Sequence, residues 1–178
     1  MSTIAGLVHD GRVYMASDSL GTKNDTVSMV LTTHKMFKKD QFLMGCVGDL
    51  RVRQIMQYLF TPPKIEDGIE IEHYMAACFI QELRLCLKEN GYAQVENNVE
   101  EGINFLIGVR GRLFDVSYDY SLNEPDCGYS AVGSGWIHAL DTLFVSDEKD
   151  PVQRLKEAIE TAIHFDPYTG GPIHVDFV

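Results

Sequence analysis

Apolar and polar positions alternate through the first part of the chain. Residues 3–9 (Thr-Ile-Ala-Gly-Leu-Val-His) and 12–18 (Arg-Val-Tyr-Met-Ala-Ser-Asp) read as two β-strands. Asp10-Gly11 between them is a two-residue turn signal, so a hairpin is predicted. Residues 19–33 are rich in Ser, Thr, Gly and Asn and are expected to form a loop. A second hairpin is predicted from residues 35–38 and 41–47 around Lys39-Asp40. Gly45-Cys46-Val47-Gly48-Asp49 then marks a turn from strand to helix. Leu50, Ile55, Met56, Leu59 and Phe60 recur near helical spacing, and Thr61-Pro62-Pro63 stops that helix. A second helix is predicted from Glu72 to Glu89, with Met75, Cys78, Phe79, Leu83, Cys86 and Leu87 on one face and Asn90-Gly91 as its cap.

Residues 94–101 are acidic and weakly patterned, and a surface loop is expected there. Residues 103–109 and 112–117 predict another hairpin across Arg110-Gly111. Tyr129-Ser130-Ala131-Val132 is a short strand that runs into Gly133-Ser134-Gly135 and a helix from Trp136 to Leu143. Asp150 as N-cap and Pro151 at the first helical position open the last long helix. Its apolar face is Val152, Leu155, Ile159, Ala162 and Ile163, and it ends at His164-Phe165-Asp166-Pro167. Tyr168-Thr169-Gly170-Gly171 leads to a closing strand, Pro172 to Phe177. This order implies an α+β fold: a four-layer αββα sandwich, two packed antiparallel sheets flanked by helices, in one domain over residues 1–178.

The 178 residues suffice for one domain with a real core. The net charge of −11 argues against nucleic acid or an anionic membrane as partner. Cys46, Cys78, Cys86 and Cys127 form no C-x-x-C pair, so a reducing, cytoplasmic setting is expected, without disulfides or zinc. No apolar run approaches about 18 residues, and no basic-then-apolar signal opens the chain. The six histidines show no H-E-x-x-H or similar ligand spacing, and neither metal nor cofactor is expected.

The chemistry-bearing residues gather at the start. Met1 precedes the small residue Ser2, so aminopeptidase removal of Met1 is expected, which leaves Ser2 with an α-amine at the head of a strand. An amine beside a hydroxyl supplies base and nucleophile together, because the α-amino pKa is about 7.7–8.0. Asp18 closes the second strand, where its carboxylate can face that amine across the hairpin. Lys35 opens the second hairpin. Lys38 and Lys39 compete with it, but they sit beside a turn, where a solvated lysine is the ordinary outcome.

Ser2-Thr3-Ile4-Ala5-Gly6, followed by Ala16-Ser17-Asp18-Ser19, resembles the start of a proteasome β-type subunit, an N-terminal nucleophile hydrolase. The short length is similar to the HslV-type peptidase of the same family. Family members open with Thr-Thr-Ile-Val-Gly and carry an Asp sixteen residues after the nucleophile. Ser2 to Asp18 is also sixteen, and Thr3 would miss by one, so Ser2 is the candidate nucleophile, with Ser in place of Thr. The resemblance implies that Lys35 sits beside the nucleophile and lowers its proton affinity, one residue later than the family spacing. It implies that the Gly48 N–H helps form the oxyanion hole. It also implies that Ser134 contacts the nucleophile's amine and relays the proton. Asp166-Pro167-Tyr168-Thr169-Gly170-Gly171 resembles the family's Asp-x-Tyr-Ser-Gly-Gly, so Asp166 and Thr169 are expected to support that amine.

For substrate, Ser19-Leu20-Gly21-Thr22 resembles the family's Ser-Arg-Ala-Thr stretch, whose backbone pairs with the bound peptide like an added strand. Leu20, Gly21 and Thr22 are therefore candidate binding residues. Cys46 is expected to line the pocket for the residue before the cut, and with Gly21 to leave it medium-sized and apolar. The resemblance further implies a peptidase acting on polypeptides, a homo-oligomer of stacked rings, and an ATP-dependent unfoldase as partner. Two alternatives remain: a catalytically silent ring subunit that keeps Met1, like proteasome α subunits, and an amidase for small substrates using the same nucleophile.

Overall fold

A computed structural model of the chain describes residues 2–23, 27–92, 94–96, 99–147 and 150–178. Met1 lies outside the described residues. The elements run in chain order as β1 (Thr3–His9), β2 (Arg12–Ser17), β3 (Leu20–Lys23), β4 (Val27–Val30), β5 (Met36–Lys39) and β6 (Phe42–Cys46). Then come α1 (Leu50–Gln54), which continues as a π-type turn over Ile55–Leu59, and α2 (Ile71–Tyr74), which passes through a second π-type turn at Met75–Phe79 into α3 (Ile80–Glu89). They are followed by β7 (Gln94–Glu96), β8 (Val99–Glu101), β9 (Phe105–Val109), β10 (Arg112–Val116), β11 (Leu122–Asn123) and β12 (Tyr129–Gly133). Helices α4 (Trp136–Val145) and α5 (Pro151–Phe165) precede the closing strand β13 (His174–Phe177).

Two antiparallel sheets form, in the orders β12-β1-β2-β13 and β11-β10-β9-β6-β5. Alternation along the strands divides the apolar side chains among three cores. Ile4, Val13 and Met15 from the first sheet meet Met36, Leu43, Leu106 and Leu113 from the second. The opposite face of the first sheet, with Ala5, Leu7 and Ala16, packs on Ala139 and Leu143 of α4 and on Leu155, Ala158 and Ile159 of α5. The outer face of the second sheet, with Phe42, Met44, Phe105, Ile107 and Phe114, packs on Val52, Ile55, Phe79, Ile80 and Leu83 from α1 to α3. Three cores between four layers make the expected αββα sandwich.

The hairpin turns follow from their residues. Asp10 and Gly11 have φ of 47° and 71°, and Arg110 and Gly111 have 49° and 72°. Positive φ at both central positions suits the right-handed twist of the flanking strands. The hairpin predicted around Lys39-Asp40 turns one residue later, because Lys39 pairs with Phe42 and Asp40 takes the positive φ.

Two predicted loops contain paired strands. Residues 19–33 hold the ribbon β3–β4, with Leu20 opposite Val30 and Thr22 opposite Ser28. Residues 94–101 hold the short ribbon β7–β8. Among the described residues, no helix is long and apolar enough to cross a membrane.

Candidate active site

The site is built where β1 begins, β2 ends and the chain enters β3. Antiparallel pairing sets Ile4 opposite Ser17, so Asp18 leaves β2 level with Thr3. The two residues bond both ways: the Asp18 N–H donates to the Thr3 carbonyl at 3.2 Å, and the Thr3 N–H donates to Asp18 Oδ1 at 3.0 Å. Lys35, just before β5, sends Nζ to the same Oδ1 at 2.6 Å and to the Leu20 carbonyl at 2.7 Å. The N–H groups of Leu20 and Gly170 donate to the other oxygen, Oδ2, at 3.1 and 3.0 Å. Four donors thus converge on a carboxylate that is 0% exposed, and the lysine paired with it is 3% exposed. Burial dominates at Lys35 and lowers its pKa from the ordinary lysine value; Asp18 opposes that shift and Arg53 adds to it.

Arg53 positions the segment before the lysine. Its guanidinium donates to the His34 carbonyl at 2.9 Å and to Thr33 Oγ1 at 3.1 Å. The competing lysines are engaged elsewhere. Lys38 pairs with Asp176 at 2.5 Å. Lys39 donates to the carbonyls of Gln57 and Phe60.

Ser2 is buried, and its carbonyl accepts from the Ser134 N–H at 2.8 Å. The approach is close because β12 ends in Gly133 with φ of 102°; a Cβ there would stand 1.9 Å from the Ser2 carbonyl oxygen. Ser134 Oγ donates to Asp166 Oδ2 at 2.6 Å and lies 3.4 Å from the Ser2 carbonyl oxygen. Thr169 Oγ1 donates to the same Asp166 oxygen at 2.6 Å. Because that proton is committed, Thr3 Oγ1, 2.6 Å away, donates to Thr169 Oγ1 and itself accepts from the Gly135 N–H at 3.1 Å. The Thr3 side chain is thus held within a hydroxyl chain that ends on Asp166. The structure brings Ser134, Asp166 and Thr169 together around residues 2 and 3, with Asp18 and Lys35 bonded to the backbone of Thr3 and Leu20.

Gly48 is exposed, with φ of 94°, between β6 and the N-cap of α1, where Asp49 accepts from the Arg51 N–H. Leu20, Gly21 and Thr22 lie on β3. A Cβ on Gly21 would meet the Leu31 side chain at 2.8 Å, so this position has room for glycine alone unless Leu31 shifts. Cys46 is buried in the core between the second sheet and its helices, with Sγ 3.4 Å from Met56 Sδ, and burial pushes its thiol up to about 12. In the single chain it forms core rather than an open wall.

Three contributors escape inspection of the sequence: the Thr3 hydroxyl, the Gly170 N–H and Arg53. The first had a signal. Position 3 alternates with Ala5 and Leu7, so its side chain belongs to the α4–α5 side. Among the described residues, no group of three or more His, Cys, Asp or Glu could hold a metal ion.

No protein-family model matches the chain, and no curated protein matches it. Solved structures do. Thiobacillus denitrificans BPH, also solved in complex with epoxomicin, superposes with a TM-score of 0.82 over 99% of this chain and 97% of its own, at 20% identity. The fold is that of the proteasome- and HslV-type N-terminal nucleophile hydrolases. Eukaryotic HslV from Trypanosoma brucei gives a TM-score of 0.69 at 15% identity, covering 98% of each chain. Anbu, an ancestral β-subunit from Yersinia bercovieri, gives 0.68 at 14% identity, covering 98% of this chain and 80% of its own. At these identities the HslV-like likeness is one of fold.

Proposed function

We propose that this HslV-like chain is an N-terminal-nucleophile peptidase that hydrolyses peptide bonds of unfolded proteins through Ser2 once Met1 is removed. The observation that carries the reading is the buried Asp18–Lys35 pair bonded to the Thr3 N–H, one residue from the proposed nucleophile. A scaffold has no need of a charge pair buried there, because such pairs add little net stability.

In this mechanism Ser2 Oγ attacks the substrate carbonyl carbon while its proton passes to the Ser2 α-amine, directly or through a water. Lys35 keeps the site electropositive, with Asp18 holding it oriented. The Gly48 N–H donates to the oxyanion. The carbon–nitrogen bond then breaks, and the leaving amine takes the proton from the α-ammonium. Water attacks the resulting ester, gives a proton back to the amine–hydroxyl pair, and releases the acid. Ser134, Thr169 and Asp166 orient the amine. Gly21 and Thr22 pair with substrate backbone, whereas the Leu20 N–H and carbonyl are taken by Asp18 and Lys35, and Cys46 backs the pocket for the residue before the cut.

The proposal includes a homo-oligomer of stacked rings fed by an ATP-dependent unfoldase. The exposed apolar side chains of α4 support assembly, with Ile137, Phe144 and Val145 between 48% and 78% exposed.

Lys35→Ala should lower peptidase turnover by at least about 10²-fold while assembly persists; wild-type turnover in that variant refutes the assignment. The mass of the N-terminal peptide, with and without epoxomicin, tests the nucleophile. Loss of Met1 and an adduct on Ser2 are expected. Retained Met1 with no adduct would point instead to a silent ring subunit.

A further inference from the structure

On the far side of β1 from the ribbon β3–β4, a recess of about 320 Å³ is lined by Asn104, Asp115, Ser117, Val132, Gly133 and Trp136. It borders Ser2. Gly133 touches the Ser2 carbonyl, as the forbidden Cβ position shows, and that same position lies 3.1 Å from Val47 Cγ1. The Val47 N–H in turn donates to the Asn104 carbonyl at 3.4 Å.

The recess holds one charge. Asp115 sits on β10 among side chains that face the first sheet, and its Oδ2 accepts from Ser130 Oγ on β12 at 2.6 Å. Among the described residues no cation pairs with it. Burial raises its carboxyl above the ordinary range, against the pull of the Ser130 hydrogen bond. A half-buried carboxylate held by one hydroxyl gains from an incoming cation.

The sheet order gives the recess a direction. β1 lies between β2 and β12. β3 continues from the β2 side, and Gly133 ends β12 on the other side. Under the peptidase reading, the acyl half of an extended substrate lies along β3. A chain crossing Ser2 then carries its leaving half toward β12 and the recess.

Resting on that peptidase reading, we propose that this recess is a subsite for a basic side chain, lysine or arginine, in the first two residues after the scissile bond, and that Asp115 is its specificity-determining residue. Ser130 holds the carboxylate in place, and Asn104 and Ser117 supply neutral polar walls.

The test uses internally quenched peptides that are identical before the cut and carry Arg, Ala or Glu in the two positions after it, with the full-length assembled protein. For the wild type, kcat/KM is expected to be about tenfold higher for Arg than for Glu. Asp115→Asn should collapse that ratio toward one, and Asp115→Lys should invert it. Should neither variant fold, the wild-type ratio itself decides, and it should shrink as salt screens the pair. A fluorogenic amide with the same acyl sequence separates the two ideas. Cleavage of that amide with equal rates across the three peptides overturns the subsite and leaves the peptidase standing. No cleavage of the amide or of any peptide overturns both.

Discussion

Asp18 carries more of the site than any other side chain. Each of its oxygens accepts two bonds, and all four donors come from different places: β1, the entrance to β3, the residue before β5, and the turn after α5. A carboxylate can accept all four, whereas an amide offers one accepting oxygen and turns two N–H groups against the remaining donors. Asp18→Asn also leaves the Lys35 charge buried without its counter-ion. The expected cost is about 3–5 kcal/mol, read by denaturant unfolding; a loss below about 1 kcal/mol would mean that water reaches the pair. Lys35 predicts a pH signature. Its pKa lies below the ordinary lysine value, because burial outweighs the pull of Asp18. A lysine is cationic only below its pKa, so activity that needs the cation should fail on the alkaline side before pH reaches about 10.5. A rate profile flat through pH 10.5 would contradict a role for the Lys35 charge. That Asp18 faces the start of β1 was legible from strand spacing, and the place of Lys35 beside it from resemblance. Arg53 was not, because what it holds are the carbonyl of His34 and the hydroxyl of Thr33, groups whose location depends on where α1 packs.

At the scale of elements, the hairpin β1–β2 and strand β12 converge on residue 2, and Gly133 is the narrowest point. Its φ of 102° and a Cβ position 1.9 Å from backbone leave no room for a methyl group. Gly133→Ala should therefore cost more than about 3 kcal/mol or abolish folding, measured by thermal or denaturant unfolding. A near-neutral change would show that β12 can slide away from Ser2. The same hairpins explain which elements were readable. Asp10-Gly11 and Arg110-Gly111 carry their turn geometry in the residues themselves, and Asp150-Pro151 caps α5 with bonds from Asp150 to the N–H groups of Val152 and Gln153. The ribbon β3–β4 lacked such a signal, since it buries too little apolar surface to show alternation. It is fixed from outside, by Ser19 bonding Gly170 and Leu31, and by Leu20 bonding Asp18 and Lys35. The π-type turns at Ile55–Leu59 and Met75–Phe79 were likewise invisible, because apolar residues recur there as they would in an ordinary α-helix.

At the scale of the molecule, the surface is divided unequally. A net charge of −11 covers a chain of 20.0 kDa, yet α4 shows solvent a face with Trp136, Ile137, Phe144 and Val145, and Phe165 at the end of α5 is 62% exposed. Large apolar side chains left exposed on one element in this number are common at interfaces. The low charge of α4, where Asp141 is the only acid and no basic residue but His138 occurs, lets two acidic molecules approach there with little mutual repulsion. Under the proposed ring assembly, the Phe144→Glu/Val145→Glu double variant should weaken association, since it places carboxylates in a face that excludes water. Both side chains are more than 70% exposed, so the fold of the protomer itself should tolerate the change. Native mass spectrometry and light scattering decide the matter: the wild type should run as a multiple of 20.0 kDa, and the variant should shift toward smaller species. A wild type that is monomeric at micromolar concentration would remove the ring from the proposal. A variant that assembles like the wild type would move the contact away from α4.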